Sequence, residues 1–170
     1  MKPYRRAVLL ESVYLKIISL IKPVWFRETG GALVGYVNDR REVIVTDACG
    51  PGPRAVSQLF SIKIDGEYTG DFCNEIFRKS NGLYDYIGDW HCHPSFYIRP
   101  SEVDQLAMVE LSEIKGLPDF PISVIFSRFS WKFKSYYLNQ DKELEQIKRS
   151  TILKCADESS SPSGLSWSDI

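Results

Sequence analysis

The chain has few cysteines and histidines, and the way they are placed excludes several classes of small protein. Its 170 residues include four cysteines and two histidines. Cys49, Cys73, Cys92 and Cys155 are widely spaced, and no CxxC pair occurs. This spacing argues against a structural zinc knuckle and against a small disulfide-stapled domain. We therefore expect a reduced, intracellular protein located in the cytoplasm.

The sequence also lacks a strong excess of charge of either sign and lacks a long apolar run. Its formal net charge is -1, with 44% hydrophobic and 25% charged residues, which is ordinary for a soluble globular protein. The net charge gives no electrostatic reason to expect nucleic acid or a membrane surface as a partner. No apolar run approaches the roughly 20 residues of a membrane span. Glu11 and Lys16 interrupt the apolar part of the N-terminus, so we expect no signal peptide.

The pattern of apolar residues predicts helices and strands that interleave along one domain. Helical spacing covers residues 9–21, 68–79, 101–115 and 141–154, and strand-like patterns cover 28–37, 42–48, 59–64, 83–93, 122–127 and 131–138. The GPGP sequence at residues 50–53 predicts a loop, which we interpret as a rigid turn between strands. The class is therefore α/β or α+β, with one mixed central sheet flanked by helices over residues 1–156. Residues 157–170 form a polar tail that we expect to be flexible.

Both histidines of the chain lie in the segment DWHCHP, one residue apart. Side chains alternate between the two faces of a strand, so His91 and His93 are predicted to share a face and Cys92 to point the other way. Two imidazoles on one face suit zinc, which binds nitrogen at ~2.0–2.1 Å and needs a third protein ligand in a catalytic site. The next candidate ligands along the chain are Ser101, Glu102 and Asp104. The alternative is a pair of buried, hydrogen-bonded core histidines.

Four residues near the histidine pair have alternative interpretations. Ser101 and Asp104 fit the capping box that begins a helix, in which case hydrogen bonding alone explains them. A ligand carboxylate, by contrast, must turn away from the backbone toward the metal. Cys92 next to a histidine suggests a thiol nucleophile, but strand alternation argues against that pairing. Asp89 is either a partner that orients the His91 ring or a solvated strand end.

Taken together, these motifs resemble those of the JAMM zinc metallopeptidases. The family signature H-x-H-P, a loop, then S-x-x-D is matched by His91 to Pro94 and Ser101 to Asp104. The family also has an upstream glutamate before a glycine-containing strand, and Glu28 occupies that place before TGGALVG. The resemblance extends over residues 9–138 and implies a JAB/MPN-like fold. Within the family, the sequence around these motifs is most similar to that of short bacterial members, including deubiquitinase-like peptidases of CBASS anti-phage operons.

The resemblance implies a role for each residue of the motif. His91, His93 and Asp104 would hold Zn²⁺ with an open fourth position, Glu28 would be the proton acceptor, and Ser101 would donate a hydrogen bond to the oxyanion. The implied reaction is hydrolysis of the bond between the C-terminus of a ubiquitin-like protein, or of a conjugated bacterial enzyme, and a target amine. The implied partners are that conjugate and E1/E2-like conjugation enzymes. One departure is Cys92, where serine or threonine is common.

Two other functions remain open at this point. The chain could be a non-catalytic docking subunit, or a zinc peptidase or amidase that acts on small peptides or cysteine adducts. The presence of Glu28 favours an enzyme, since a structural zinc site needs no base and is closed by a fourth ligand. A shallow groove favours a protein tail as the substrate, whereas a closed pocket favours a small molecule.

Overall fold

A computed structural model of the chain describes residues 3–24, 26–59, 61–118 and 120–154. Its helices are α1 (Glu11–Ile21), α2 (Gly66–Lys79) and α3 (Glu102–Ser112). Its strands are β1 (Arg6–Leu10), β2 (Thr29–Val37), β3 (Glu42–Ala48), β4 (Val56–Ser57), β5 (Ile62–Lys63), β6 (Asp85–His93), β7 (Ile122–Ser127), β8 (Phe133–Leu138), β9 (Leu144–Gln146) and β10 (Ser150–Leu153). Within these residues, no helix is both long and apolar enough to cross a membrane.

The centre of the fold is an eight-stranded mixed sheet in the order β10-β1-β3-β2-β6-β7-β8-β9. β6 lies near its middle, antiparallel to β2 and parallel to β7. β4 and β5 form a separate two-stranded ribbon. The predicted class, a mixed sheet flanked by helices, is confirmed. β6 is paired on both sides, so the residues at its end are held by two neighbouring strands.

The two faces of the sheet carry two separate apolar cores. On one face, α1 buries Val13, Ile17 and Ile21 against the fully buried Trp90 and its neighbours on the sheet. The Trp90 ring also donates a hydrogen bond of 2.8 Å to the Cys49 carbonyl. On the other face, α2 covers a smaller cluster made of Ala32, Val34, Cys49 and Cys73. Alternate residues of β6 therefore point into different environments.

The N-terminal helix was predicted from residue 9, but residues 6–10 form a strand that the sequence pattern did not indicate. β1 pairs in parallel with both β3 and β10, and Leu9 is fully buried. A short strand enclosed on both sides is uniformly apolar and has no alternation to identify it. Apart from the helix predicted over 141–154, the other predicted elements keep their type within a few residues, and the strand predicted over 59–64 contracts to β5.

The helix predicted over residues 141–154 is wrong. The segment forms β9, which pairs with β8, and β10, which pairs with β1 at the opposite edge of the sheet. Only residues 147–149 separate the two strands, so the sheet is curled enough for its edges to approach each other. Ile147 is buried, and its amide donates to the Ser135 carbonyl at 2.8 Å. Pairing at two open edges outweighs a weak helical preference. The tail predicted over 157–170, and Cys155, lie outside the described residues.

Gly88 marks the closest approach of β6 to β7. Its φ angle is +148°, and a Cβ atom built there would lie 1.9 Å from the Ile122 carbonyl oxygen. The register between β2 and β6 also shifts beside it, between Leu33 and Val34. Any side chain at position 88 would force the two strands apart, so glycine is required there.

We predict that Gly88→Ala destabilises the protein by about 3 kcal/mol or more, because a backbone clash and an unfavourable φ angle coincide. Gly70→Ala in α2 is the control, since nothing lies within 4 Å of its Cβ position. That change should raise stability by roughly 1 kcal/mol, as alanine is the better helix former. Urea unfolding of the three proteins checks both signs. A Gly88→Ala protein as stable as wild type would contradict the strand packing described here.

Candidate metal centre

Three metal-ligating side chains converge at the end of β6. His91 and His93 project from the same face, and their Nε2 atoms are 3.0 Å apart. Asp104, in the first turn of α3, places Oδ1 3.1 Å from His91 Nε2 and Oδ2 3.4 Å from His93 Nε2. One ligand atom from each residue lies within 4.8 Å of the others. The predicted sharing of one face by the two histidines is therefore what the structure shows.

The loop between β6 and α3 is anchored to the sheet, and this brings Asp104 back to the histidines. The Ser127 hydroxyl donates to the Ser95 carbonyl at 2.9 Å, and the Tyr136 hydroxyl donates to the Ile98 carbonyl at 2.7 Å. Both donors belong to neighbouring strands of the same sheet. The first turn of α3 is thus positioned by hydrogen bonds from β7 and β8, although the loop itself has no regular structure.

Asp104 both caps the helix and faces the histidines, so the two interpretations of this residue do not exclude each other. Its Oδ2 accepts hydrogen bonds from the Ser101 backbone N at 2.6 Å and from the Ser101 hydroxyl at 2.8 Å. The Asp104 backbone N in turn donates to Ser101 Oγ at 3.2 Å, which completes the capping box. Oδ1 remains directed at His91. The capping box therefore orients the carboxylate toward the histidine pair instead of competing with it.

Glu28 is the residue that precedes β2, and it is buried beside the same cluster. Thr29, the next residue, is opposite Cys92 in the sheet, which fixes Glu28 next to the end of β6. Its Oε1 is 3.8 Å from His93 Nε2, and only 6% of the residue is exposed. The Glu28 backbone N donates to the Gln58 carbonyl at 3.0 Å, and the Ser57 hydroxyl donates to the Glu28 carbonyl. Both contacts come from the segment of the β4–β5 ribbon, which holds the glutamate in place.

The GPGP loop ties this ribbon to the start of α2. Gly52 has a φ angle of +86°, and the Ala55 backbone N donates back to its carbonyl at 3.3 Å, so the loop is the turn that we predicted. Arg54 follows the turn and donates from Nε and a terminal nitrogen to the Asp65 carboxylate at 3.0 and 2.8 Å. Hydrogen bonds from Arg54 lower the pKa of Asp65 to about 2, so the carboxylate stays ionised. The ribbon is therefore fastened at the base of α2.

Burial and neighbouring groups shift the pKa values of Glu28, His93 and Asp104. Burial raises the pKa of Glu28, and the two nearby histidines only partly offset that effect. Burial would also raise the pKa of Asp104, but hydrogen bonds from His91 and His93 outweigh it and hold the pKa well below its usual range. Burial disfavours the charged form of His93, yet its bond to Asp104 raises the pKa of the ring. The site thus contains an ionised Asp104 and a Glu28 that binds protons more readily than a free glutamate.

These donors fit a divalent metal ion such as zinc. Two imidazole nitrogens and one ionised carboxylate face a common point, which is the ligand set of many catalytic zinc sites. In a core histidine each ring nitrogen needs one hydrogen-bond partner. Here the single atom His91 Nε2 has two partners within 3.1 Å, and a second carboxylate lies beside His93. His93 also hydrogen-bonds the backbone of Tyr97, a contact of the kind that fixes ligand rings. This clustering favours metal ligation over a core role.

Two other candidates from the sequence lie away from the cluster. Cys92 is buried in the core on the α1 face, and burial raises the pKa of its thiol to about 12. It is therefore neither a ligand nor a nucleophile, in agreement with the alternation argument. Glu102 is exposed on the outer side of the first turn of α3 and does not belong to the cluster of donors.

Asp89 is neither a hydrogen-bond partner of the His91 ring nor a solvated strand end, the two interpretations that the sequence allowed. Among the described residues, no hydrogen bond joins it to His91, and the Tyr86 hydroxyl faces its carboxyl instead. Asp89 separates a small cavity of about 80 Å³ beside Glu28 and His91 from a groove of about 490 Å³ between α2 and the end of α3. Burial raises its pKa to about 6, although part of the side chain remains accessible.

This shift predicts a stability change with pH. Because the pKa of Asp89 is about 6 in the folded protein and 3.8 ordinarily, the unfolded chain loses its proton first as the pH rises. Stability attributable to Asp89 is full below pH 4 and falls as the pH rises from about 4 to 6. Replacing Asp89 by asparagine removes this loss. In the presence of a chelator, Asp89→Asn should gain about 2 kcal/mol relative to wild type between pH 4 and pH 7.

Urea unfolding at the two pH values measures this difference, and contributions from groups that both proteins share cancel. A difference between the two proteins that stays constant with pH would show that Asp89 is not held in a proton-retaining environment.

Comparisons with known proteins agree with this arrangement. A family model described as prokaryotic homologs of the JAB domain matches residues 10–135. An Escherichia coli protein named CD-NTase/cGAS isopeptidase is 33% identical over 79 residues, which are 45% of this chain and 49% of that protein. A Vibrio cholerae protein of the same name is 32% identical over 80 residues, or 46% and 49% of the two chains. A Sinorhizobium fredii protein named as a probable metalloprotease is 34% identical over 68 residues, or 40% and 42%.

The matches thus span about half the length of these relatives. A solution structure of a protein from Desulfitobacterium hafniense has a TM-score of 0.66 and 16% identity, and the alignment covers 89% of this chain and 95% of that one. This likeness shows the fold. The family model covers most of the chain, including Glu28, both histidines and Asp104, and this coverage establishes family membership. The chain belongs to the prokaryotic homologs of the JAB domain.

Proposed function

We propose that the chain is a zinc-dependent isopeptidase that hydrolyses the amide bond between a protein C-terminus and a target amine. The C-terminus belongs to a ubiquitin-like protein or to a conjugated bacterial enzyme of the CD-NTase class. Two of the relatives are named CD-NTase/cGAS isopeptidase and a third is named a probable metalloprotease, which supports this class of reaction. The proposal places the chain in a conjugation system of the anti-phage CBASS type.

The observation that carries the proposal is the position of Glu28. A structural metal site needs no second acid beside its ligands, yet Glu28 is buried at a distance of 3.8 Å from His93 Nε2. Burying a carboxylate costs free energy unless it is paired or hydrogen-bonded, so its place beside the histidines points to a functional reason. Its raised pKa suits a group that accepts a proton and later returns it. A docking subunit would need none of these features.

Each residue then has a defined task. His91, His93 and Asp104 hold the metal, and zinc, when bound, polarises the scissile carbonyl and lowers the pKa of water at the site toward ~7. Glu28 accepts the proton of the attacking water on its carboxylate and delivers it to the leaving amine. Burial raises the pKa of Glu28, which favours the acceptance step, and the charges of the two histidines act in the opposite direction.

Ser101 is the candidate donor to the oxyanion. Its side chain is exposed at the start of α3, next to the carboxylate that faces the histidines. In the structure its hydroxyl hydrogen goes to Asp104 Oδ2, so it must turn toward the substrate during the reaction. Single oxyanion donors contribute ~3–4 kcal/mol to lowering the barrier.

The dimensions of the site favour a protein substrate over a small molecule. The cavity beside Glu28, His91 and Asp104 measures about 80 Å³, well below the ~300 Å³ of pockets that enclose small ligands. Large apolar side chains are exposed on the loop and helix that follow His93: Phe96 is 71% exposed, Tyr97 77% and Leu106 64%. Exposed apolar side chains grouped in this way are typical of surfaces that bind another protein.

The β4–β5 ribbon offers a place for an extended tail. Ser61 and Ile62 line the same cavity as Glu28 and His91. In the part of the chain that the structure describes, β5 pairs with β4 and with no other strand. A substrate tail lying along this edge would gain main-chain hydrogen bonds, which bind extended peptides without requiring a deep pocket.

The first test is the loss of activity without the loss of metal. We expect Glu28→Gln to lower kcat for release of a fluorogenic amide from the C-terminus of a ubiquitin-like protein by at least about 100-fold. Zinc content, measured by mass spectrometry, should stay near that of wild type. Glu102→Gln, an equivalent change on the exposed side of α3, should keep both activity and zinc.

The double variant His91→Ala/His93→Ala should lose both zinc and activity. If Glu28→Gln keeps full activity, the chain does not use this glutamate as its base and the proposed mechanism is wrong. If the wild-type protein binds zinc but cleaves no protein conjugate, the isopeptidase proposal is wrong, and a docking subunit or a zinc peptidase acting on small molecules replaces it.

Ser101 allows catalysis and helix capping to be separated. Ser101→Ala should lower kcat by roughly 100-fold with little change in KM, and should cost about 1 kcal/mol of stability through the lost cap. Ser101→Thr keeps a hydroxyl and a capping oxygen, so it should recover most of both. A Ser101→Ala protein that loses stability but keeps its kcat would limit this residue to capping.

A further inference from the structure

The chain contains four pairs of adjacent basic residues: Arg5-Arg6, Arg40-Arg41, Arg78-Lys79 and Lys148-Arg149. Three of these pairs are far apart in sequence and meet around one concave surface. That surface has a volume of about 660 Å³, and its lining residues are Tyr4, Arg5, Arg6, Arg40, Arg41, Glu42, Gln146, Lys148 and Arg149. We call it the basic concavity. Only Arg78-Lys79, on α2, lies elsewhere.

The fold itself assembles the basic concavity. Arg5 and Arg6 lie at the start of β1, Arg40 and Arg41 in the turn before β3, and Arg149 just before β10. The Arg5 backbone N donates to the Arg41 carbonyl at 2.9 Å, and the Ala7 backbone N donates to the Arg149 carbonyl at 2.8 Å. These bonds join main-chain atoms, so the three segments that carry the six cations stay together even when the basic side chains are replaced.

Four of the six cations form no ion pair with a described acid. Among the described residues, Glu42 is the one acid that lines the surface, and it lies 3.5 Å from Arg6, which also donates to the Thr151 hydroxyl. Within the described parts of the chain, no acidic side chain forms an ion pair with Arg5, Arg40, Lys148 or Arg149. Like charges held this close repel each other unless an anion joins them. A protein of net charge -1 thus carries a strongly positive local field.

We propose that the basic concavity binds a small ligand with two or more phosphate groups, of the nucleoside polyphosphate class. Five of the six cations are arginines, whose planar guanidinium groups bind phosphate oxygens in pairs. The volume of about 660 Å³ matches pockets for ligands of nucleotide size. Each acidic side chain of a peptide carries one charge, whereas each phosphate group carries up to about two, so a polyphosphate matches these cations with fewer groups.

The basic concavity is separate from the candidate metal centre. Val37, at the end of β2, pairs with Val43 at the start of β3, near the arginine pairs. Thr29 and Gly30, at the other end of β2, pair with Cys92 and His91. The length of β2, roughly 25 Å at about 3.3 Å per residue, therefore lies between the two sites. The binding proposal consequently stands whether or not the chain is an isopeptidase.

The test is calorimetric titration of the full chain with ATP and with inorganic tripolyphosphate. Wild type should bind both, and the affinity should fall when salt is raised from 50 to 200 mM. Arg40→Ala/Arg149→Ala should bind at least about tenfold more weakly, since two charge-assisted contacts are lost. Both side chains are exposed, so unfolding midpoints near that of wild type are expected and are measured alongside.

Arg78→Ala/Lys79→Ala removes the fourth basic pair and is the matched control, which should bind as wild type does. Equal loss in both double variants would mean non-specific attraction to positive charge and would overturn the proposal. So would the absence of tripolyphosphate and ATP binding to wild type. Binding of a 12-nucleotide single strand without binding of either small ligand would also overturn it in favour of a nucleic-acid surface.

Discussion

The pairing of β6 on both of its edges is the constraint on which the site depends. β2 pairs with this strand from Asp85 to Cys92 and β7 from Gly88 to His93, so the alternation of side chains at its histidine end cannot slip by a residue. Trp90 and Cys92 fill the core on the α1 face, and this commits His91 and His93 to the opposite face. The same register places Thr29 opposite Cys92 and so brings Glu28 to the histidines. One set of backbone hydrogen bonds therefore fixes three of the four charged residues of the centre.

The fourth charged residue, Asp104, is fixed by local hydrogen bonding. The capping box at the start of α3 uses Oδ2 and leaves Oδ1 facing His91 at 3.1 Å. Burial acts to raise the pKa of both acids. At Asp104 this effect is outweighed by close imidazole partners, whereas the nearest imidazole to Glu28 is more distant. The pKa of one carboxyl falls and that of the other rises. This difference supports the separate roles of ligand and proton acceptor that we propose for the two acids.

The sequence predicted the parts of this arrangement that local rules determine. Strand alternation placed His91 and His93 together and Cys92 away, and the turn residues located the GPGP loop. Glu28 could not be chosen from the other acids by spacing, because its position depends on strand pairing with β6, 63 residues away in the chain; the family resemblance supplied it. The roles of these residues stay predictions until they are measured. β1 and the segment 144–153 were missed or misassigned, because their structure comes from sheet edges that local patterns do not reveal.

The basic concavity likewise could not be predicted from the composition or the net charge of the chain. A net charge of -1 gave no reason to expect an anionic partner, and the three basic pairs lie in separate segments. Only the curled sheet, whose edge strands are joined by residues 147–149, brings them to one surface. Average charge therefore describes this protein less well than the distribution of charge over its fold.

The most direct test of the central claim is X-ray absorption at the zinc edge of the purified protein. The account predicts one zinc per chain, bound by two imidazoles and by oxygen at ~2.0–2.1 Å, without sulfur. The Asp104→Asn protein should show weaker binding with both imidazoles retained. A zinc–sulfur distance of ~2.3 Å, or a protein with no zinc, would contradict the site built from His91, His93 and Asp104.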